Sequence, residues 1–179
     1  MTQHYTRTAK GLHWLIALLM LGLLGLGFYM QDLPLSPQKL QLYAWHKWAG
    51  VSVFLLVLVR LGWHLTHQPP VLPAGMPGLQ QQAAQATHGL LYLLMLAIPL
   101  SGWLMSSAKG FQTVWFGILP LPDLLAKDVA LGEQLATLHM GLNLLLVALL
   151  LAHVGASLKH HFIDRDDILL RMLPRFGKA

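Results

Sequence analysis

Residues 138–161 read LHMGLNLLLVALLLAHVGASLKHH. From about Leu138 to Leu158 the run carries no Asp, Glu, Lys or Arg. A hydrocarbon core of about 30 Å needs roughly 20 such residues in a helix. The run is too long for a strand and too apolar for a surface helix. Two histidines interrupt it. His139 and His153 stand 14 residues apart, about 21 Å along a helix axis. At 3.6 residues per turn their directions differ by about 40°, and at the 3.5 of a left-handed bundle they coincide. One helix therefore offers two imidazoles on one face, near opposite membrane surfaces. Ionisable groups inside a membrane are costly and mark function by default.

Three further stretches have the same character: about Leu12 to Met30, about Ala44 to Leu65, and about Thr87 to Ser106. Pro99 lies in the last of these, where a membrane helix tolerates it with a kink. Arg7 and Lys10 ahead of the first run imitate a signal peptide. That run is too long for an h-region, and its exit, Gln31-Asp32-Leu33-Pro34, offers no small-residue cleavage site, so it reads as a retained span. The expectation is an all-α, integral membrane, antiparallel four-helix bundle forming a single domain over 1–179. The Pro- and Gln-rich stretch Thr66–Ala86 predicts an irregular connection. Ser107–Thr137, with Phe111, Trp115 and Phe116, predicts a loop lying in the headgroup region.

Composition agrees. Of 179 residues, 55% are hydrophobic and 11% charged, against about 25% charged in a soluble domain. The mean hydropathy is +0.55. A soluble domain of this size cannot hide so much apolar surface, and disorder is excluded. The absence of cysteine excludes disulfides, thiolate zinc sites, Cys-ligated iron–sulfur clusters and covalent haem attachment. With four spans, one side holds Arg7, Lys10, Arg60, Lys159, Arg165, Arg171, Arg175 and Lys178, and the other only Lys39, Lys47, Lys109 and Lys127. Eight basic residues against four place both termini in the cytoplasm. The charges flank spans and form no soluble basic face, so lipid is an expected partner and nucleic acid is not.

Each histidine of the fourth span needs a partner at its own depth. The second span begins outside, which sets His46 beside His139. The first begins inside, which sets His13 beside His153. Two facing His–His pairs are what two haem irons need, whereas zinc usually wants three or four ligands at one point. Small residues, Gly22, Gly25, Gly27, Gly50, Ala152 and Ala156, would make room for a macrocycle; they also serve simply to let helices approach. His88 opens the third span on the inner side and is the alternative to His13 as partner of His153. His160 and His161 sit just past the fourth span, while His4, His64 and His67 read as interfacial residues.

Further matches lie along the chain: Tyr5-x-Arg7 ahead of Leu12-His13-Trp14; His46-x3-Gly50 with Val59-Arg60-Leu61; His88-x3-Tyr92 leading to Pro99-x-Ser101-Gly102-Trp103. The last run is His153-x5-Lys159-His160-His161-Phe162, followed by Asp166 and Leu170-Arg171-Met172-Leu173-Pro174. On this ordered set the chain resembles the bacterial cytochrome b561 family of small di-haem membrane proteins, over nearly its whole length. The resemblance implies two b haems, held by His13 with His153 and by His46 with His139, with no departure at those four positions. It implies electron transfer from the outer face to ubiquinone, with superoxide as the donor. The related alternative is a cytochrome b subunit passing electrons to quinone from a partner dehydrogenase or hydrogenase.

Superoxide is an anion, and a cationic surface raises the encounter rate of anions. Lys47, next to His46, and Lys109 on the outer loop are the candidates to steer it, with Lys39 and Lys127 nearby. Quinone reduction consumes protons, and histidine titrates near neutrality. His88 and His160 are therefore the candidate donors at the inner site, with Lys10, Trp14 and Lys159 beside them.

Overall fold

The computed structural model describes residues 5–71, 73 and 75–173. His4, Pro174, Arg175 and Lys178 lie outside the described residues. Four long helices dominate: α1 (Arg7–Gln31), α2 (Pro37–Thr66), α3 (Gly78–Ala108) and α4 (Val129–Lys159). All four are long and apolar enough to cross a membrane. Between α3 and α4 lie two short strands, β1 (Val114–Trp115) and β2 (Leu119–Pro120), which pair antiparallel. A π-helical turn, His160–Asp164, extends α4, and the short helix α5 (Ile168–Met172) follows.

Local signals set the helix starts. Thr6 Oγ1 accepts from the Ala9 N–H at 3.2 Å, Ser36 Oγ from the Lys39 N–H at 3.2 Å, and Asp128 Oδ1 from the Leu131 N–H at 3.0 Å. Each satisfies one of the donors a helix start leaves bare. Pro37 follows Ser36 at the first helical position, where its missing N–H costs nothing.

Each helix outruns its apolar stretch. Residues 7–11, 37–43, 78–86 and 129–137 are helical although they were expected to precede the spans. Hydropathy marks where the hydrocarbon ends, but backbone hydrogen bonding continues into the polar interface. Residues 78–86 of the Thr66–Ala86 stretch, expected to be irregular, are therefore the first turns of α3. Within this helical bundle the connection between α3 and α4 folds as the β1–β2 hairpin, turned at Phe116 (φ 50°) and Gly117 (φ 71°).

α1 packs chiefly on α2, and α3 on α4. The core is a mid-bundle layer to which every long helix contributes: Ile16 and Met20, Val53 and Val57, Leu91 and Met95, and Leu146. Outside this layer large apolar side chains stay exposed, Leu18 at 66% and Leu151 at 71% among them. Such a surface suits lipid and not water. Both ends of the described chain meet at one end of the bundle, hereafter the terminal end. There Lys10 Nζ donates to the Leu173 carbonyl at 3.1 Å, and Trp14 Nε1 to the Met172 carbonyl at 3.0 Å. The hairpin covers the other end.

Candidate haem and electron-transfer site

At the hairpin end α2 and α4 bring His46 and His139 together, with ring centroids 6.4 Å apart. At the terminal end α1 and α4 bring His13 and His153 together, also at 6.4 Å. A metal between two imidazoles spans two nitrogen–metal bonds of about 2 Å each plus the two ring radii, which is close to that separation. His88 approaches the His153 ring more closely, at 5.2 Å, too near for a metal to lie between them in the same way.

The hairpin-end pair is built from behind by glycine. A Cβ placed on Gly27 would meet His46 Cε1 at 3.3 Å, and one on Gly102 would meet His139 Cε1 at 3.1 Å. Each imidazole thus rests on bare backbone of the neighbouring helix. Of the other glycines expected to make room, Gly22, Gly25 and Gly50 face open space, with nothing within 4 Å. Gly102 was quoted only as part of a motif; spacing alone does not reveal which backbone an imidazole touches.

His139 Nδ1 lies 3.1 Å from the Ile98 carbonyl oxygen and 2.9 Å from Ser101 Oγ. Ser101 Oγ itself donates to the same carbonyl at 2.8 Å. A carbonyl only accepts, so Nδ1 carries the proton and Nε2 keeps its lone pair. That is the arrangement a metal-binding histidine uses. His46 Nδ1 is buried with no hydrogen-bond partner. An orphaned buried ring nitrogen, glycine-backed imidazoles and the 6.4 Å gap all fit a flat group held by two imidazoles, as haem b is.

The terminal end differs. Arg60 Nη1 donates to His13 Nδ1 at 2.9 Å, and the guanidinium lies over the Tyr92 ring at 5.6 Å. Trp14 sets its ring against His13 with centroids 5.3 Å apart. Lys10 and Trp14, expected beside a quinone, spend their donors on the carbonyls of the C-terminal segment and so tie that segment over this end. Tyr5 is partly buried here, and that burial raises its phenol above the ordinary 10.0. His160 Nδ1 pairs with Asp166 at 2.6 Å, and Lys159 with Asp164 at 2.7 Å. His160, Asp164 and Asp166 place ligand atoms within 4.8 Å of one another, away from the paired imidazoles.

The two lysines expected to steer an anion have other partners as well. Lys47 Nζ donates to Ser106 Oγ at 3.3 Å and to the Phe111 and Gln112 carbonyls at 3.3 and 3.1 Å. None of these is an anion, and among the described residues Lys47 forms no ion pair, although the Asp123 carboxylate acts on it through space. Lys109 pairs with Glu133 at 2.9 Å, which offsets its field. Beside Lys47, Trp48 Nε1 donates to the Val114 carbonyl at 2.6 Å, and Trp115 Nε1 to the Trp48 carbonyl at 3.2 Å. These contacts clamp the hairpin over the His46–His139 end.

Comparison with known proteins agrees with this architecture. The family model described as prokaryotic cytochrome b561 matches residues 4–175. Cytochrome b561 homolog 2 of Escherichia coli K12 is 35% identical over 179 residues, covering 96% of this chain and 92% of the relative. Cytochrome b561 homolog 1 of the same organism is 33% identical over 132 residues, 73% of each chain. A probable superoxide oxidase CybB of Yersinia pestis is 26% identical over 181 residues, 98% of each chain. The chain belongs to the prokaryotic cytochrome b561 family, and is a multi-pass membrane electron-transfer protein of a family that binds haem b.

Proposed function

We propose that the whole chain, 1–179, is one di-haem oxidoreductase of a bacterial inner membrane, with both termini in the cytoplasm. His46 and His139 would hold one haem b, and His13 and His153 the other. The observation that carries this reading is the repeated 6.4 Å imidazole gap at the two ends of α4. Bound there, the haems supply one-electron transfer between the two membrane faces. The reaction proposed is oxidation of superoxide outside and reduction of ubiquinone inside. Two superoxide anions become two O2 and give up two electrons; ubiquinone takes up those electrons and two protons to become ubiquinol. The name of the 26% identical relative supports superoxide as the donor.

The chain's own residues have separate tasks. His13 with His153, and His46 with His139, would each hold one haem b, which would serve there as an electron carrier. The Ile98 carbonyl holds the His139 tautomer that leaves Nε2 bare. Lys47, which forms no direct ion pair among the described residues, places a positive charge one residue from His46, where an approaching anion gains most. On the inner side His88 and His160 are the proposed proton donors to the quinone, with Asp166 orienting His160. Lys10 and Trp14 hold the wall beside them.

Stopped-flow mixing of superoxide with the purified protein and a ubiquinone tests the reading. Ubiquinol should form in a one-to-two ratio with superoxide consumed, beyond the rate of spontaneous dismutation. Haem reduction by a co-purifying hydrophilic subunit, with no response to superoxide, would favour instead a cytochrome b subunit of a larger dehydrogenase or hydrogenase.

A further inference from the structure

Arg60 stands in the last third of α2, inside a membrane-spanning helix. Charged groups at such depth are costly and pair with one another or with carbonyls. Arg60 has no such partner: among the described residues it forms no ion pair. Its Nε is buried with no hydrogen bond. Its neighbours are Tyr5, His13, His64, His88, Tyr92 and His153, none of them an acid.

Its hydrogen bond to His13 Nδ1 conflicts with the proposed role of His13. A guanidinium only donates, so His13 Nδ1 must accept and the ring proton must sit on Nε2. A protonated nitrogen binds no metal. When His13 takes a metal through Nε2, Nδ1 becomes a donor and faces the Arg60 donor at 2.9 Å. Arg60 then has to find another acceptor. Among the described residues, no anion pairs with Arg60 beside the His13–His153 gap.

We propose that Arg60 is the counter-cation for a carboxylate of the group held between His13 and His153, one of the two propionates of a haem, and that it exchanges His13 Nδ1 for this carboxylate on binding. The inference rests on the haem reading given above. Carboxylate and guanidinium match as a two-point, charge-assisted pair. Arg60 is thus a positioning residue that also sets the redox balance of the terminal-end haem. Its positive charge favours the ferrous form, and an uncompensated propionate would favour the ferric form.

The test is an equilibrium redox titration of the haem-loaded, full-length protein, with the two haems resolved by EPR and counted. Arg60→Lys, Arg60→Gln and Arg60→Met are compared with the native chain. Lys should keep both haems and stay near the native ferric/ferrous balance. Gln and Met should move the terminal-end haem toward ferric by about tenfold or more, 59 mV for one electron, or lose that haem alone. Gln holding both haems at native potentials would overturn the proposal, and so would Lys shifting as far as Met. A native protein with no haem at the terminal end would overturn the haem reading itself, and the role of Arg60 with it.

Discussion

A methyl group added to Gly102 would come within 3.1 Å of His139 Cε1. Real Cβ atoms are rarely that close to a neighbour, so the imidazole would have to give. His139 Nδ1 is also held by Ile98 and Ser101 of the same helix as Gly102, and its freedom to move away is small. Gly102→Ala should therefore displace the His139 ring and disturb the gap it forms with His46. Purified Gly102→Ala is expected to carry about one haem per chain less than the native protein. Gly27→Ala, at 3.3 Å from His46 Cε1, should perturb the same haem less. Unchanged haem content and spectra in both variants would show that the gap tolerates either imidazole moving.

Ser101→Ala removes the hydroxyl from His139 Nδ1 but leaves the Ile98 carbonyl in place. A hydrogen bond of this kind is worth about 1 kcal/mol. The variant should keep its haem yet release it at a lower temperature, as followed by loss of the haem absorbance on heating. Release at the native temperature would mean that Ile98 alone orients the ring.

Trp14→Phe keeps the ring against His13 and loses the donor to the Met172 carbonyl. The C-terminal segment is then held by fewer ties, among them Lys10 to Leu173 and Arg171 to the Val71 carbonyl at 2.7 Å. Limited proteolysis near residues 165–173 should quicken in Trp14→Phe and more so with Lys10→Ala added. The KM for quinone should rise while haem content holds.

Lys47→Gln should lower the second-order rate with superoxide roughly twofold to tenfold at low salt, and flatten its salt dependence. Lys109→Gln should do much less, because Glu133 already offsets that charge. Equal effects from the two substitutions would contradict the distinction drawn from their partners.

Tyr5 stays neutral through the physiological range, because burial raises its phenol above 10.0. The folded state thus favours the protonated form. The stability this provides is fully present below pH 10 and is lost as pH rises through the folded value. Alkaline titration should show the Tyr5 phenolate forming later than that of a free tyrosine, and Tyr5→Phe should remove that delayed step.

Much of the architecture is legible in the sequence. The helical repeat relates His139 to His153, and chain direction alone assigns His46 and His13 to their depths. Helix ends were less legible, since hydropathy reports the membrane boundary and not the last backbone hydrogen bond. The hairpin at residues 114–120 was missed because its anchors, Trp48 and Ser52, lie more than 60 residues away. Arg60, Ser101 and Gly102 appeared only inside motifs. Their roles depend on which side chain faces which across helices, and spacing within one helix carries no such information. The same holds for Lys10 and Trp14, whose partners lie about 160 residues downstream.

The central claim is that the two 6.4 Å imidazole gaps each hold one haem. Pyridine haemochrome stoichiometry with a reduced-minus-oxidised spectrum, on protein made with ample haem supply, tests it most directly. The account predicts two low-spin b haems per chain, falling to one when His139 is replaced by Ala. One haem in the native protein would contradict one of the pairs and return His88 as a ligand; no haem would contradict the redox function altogether.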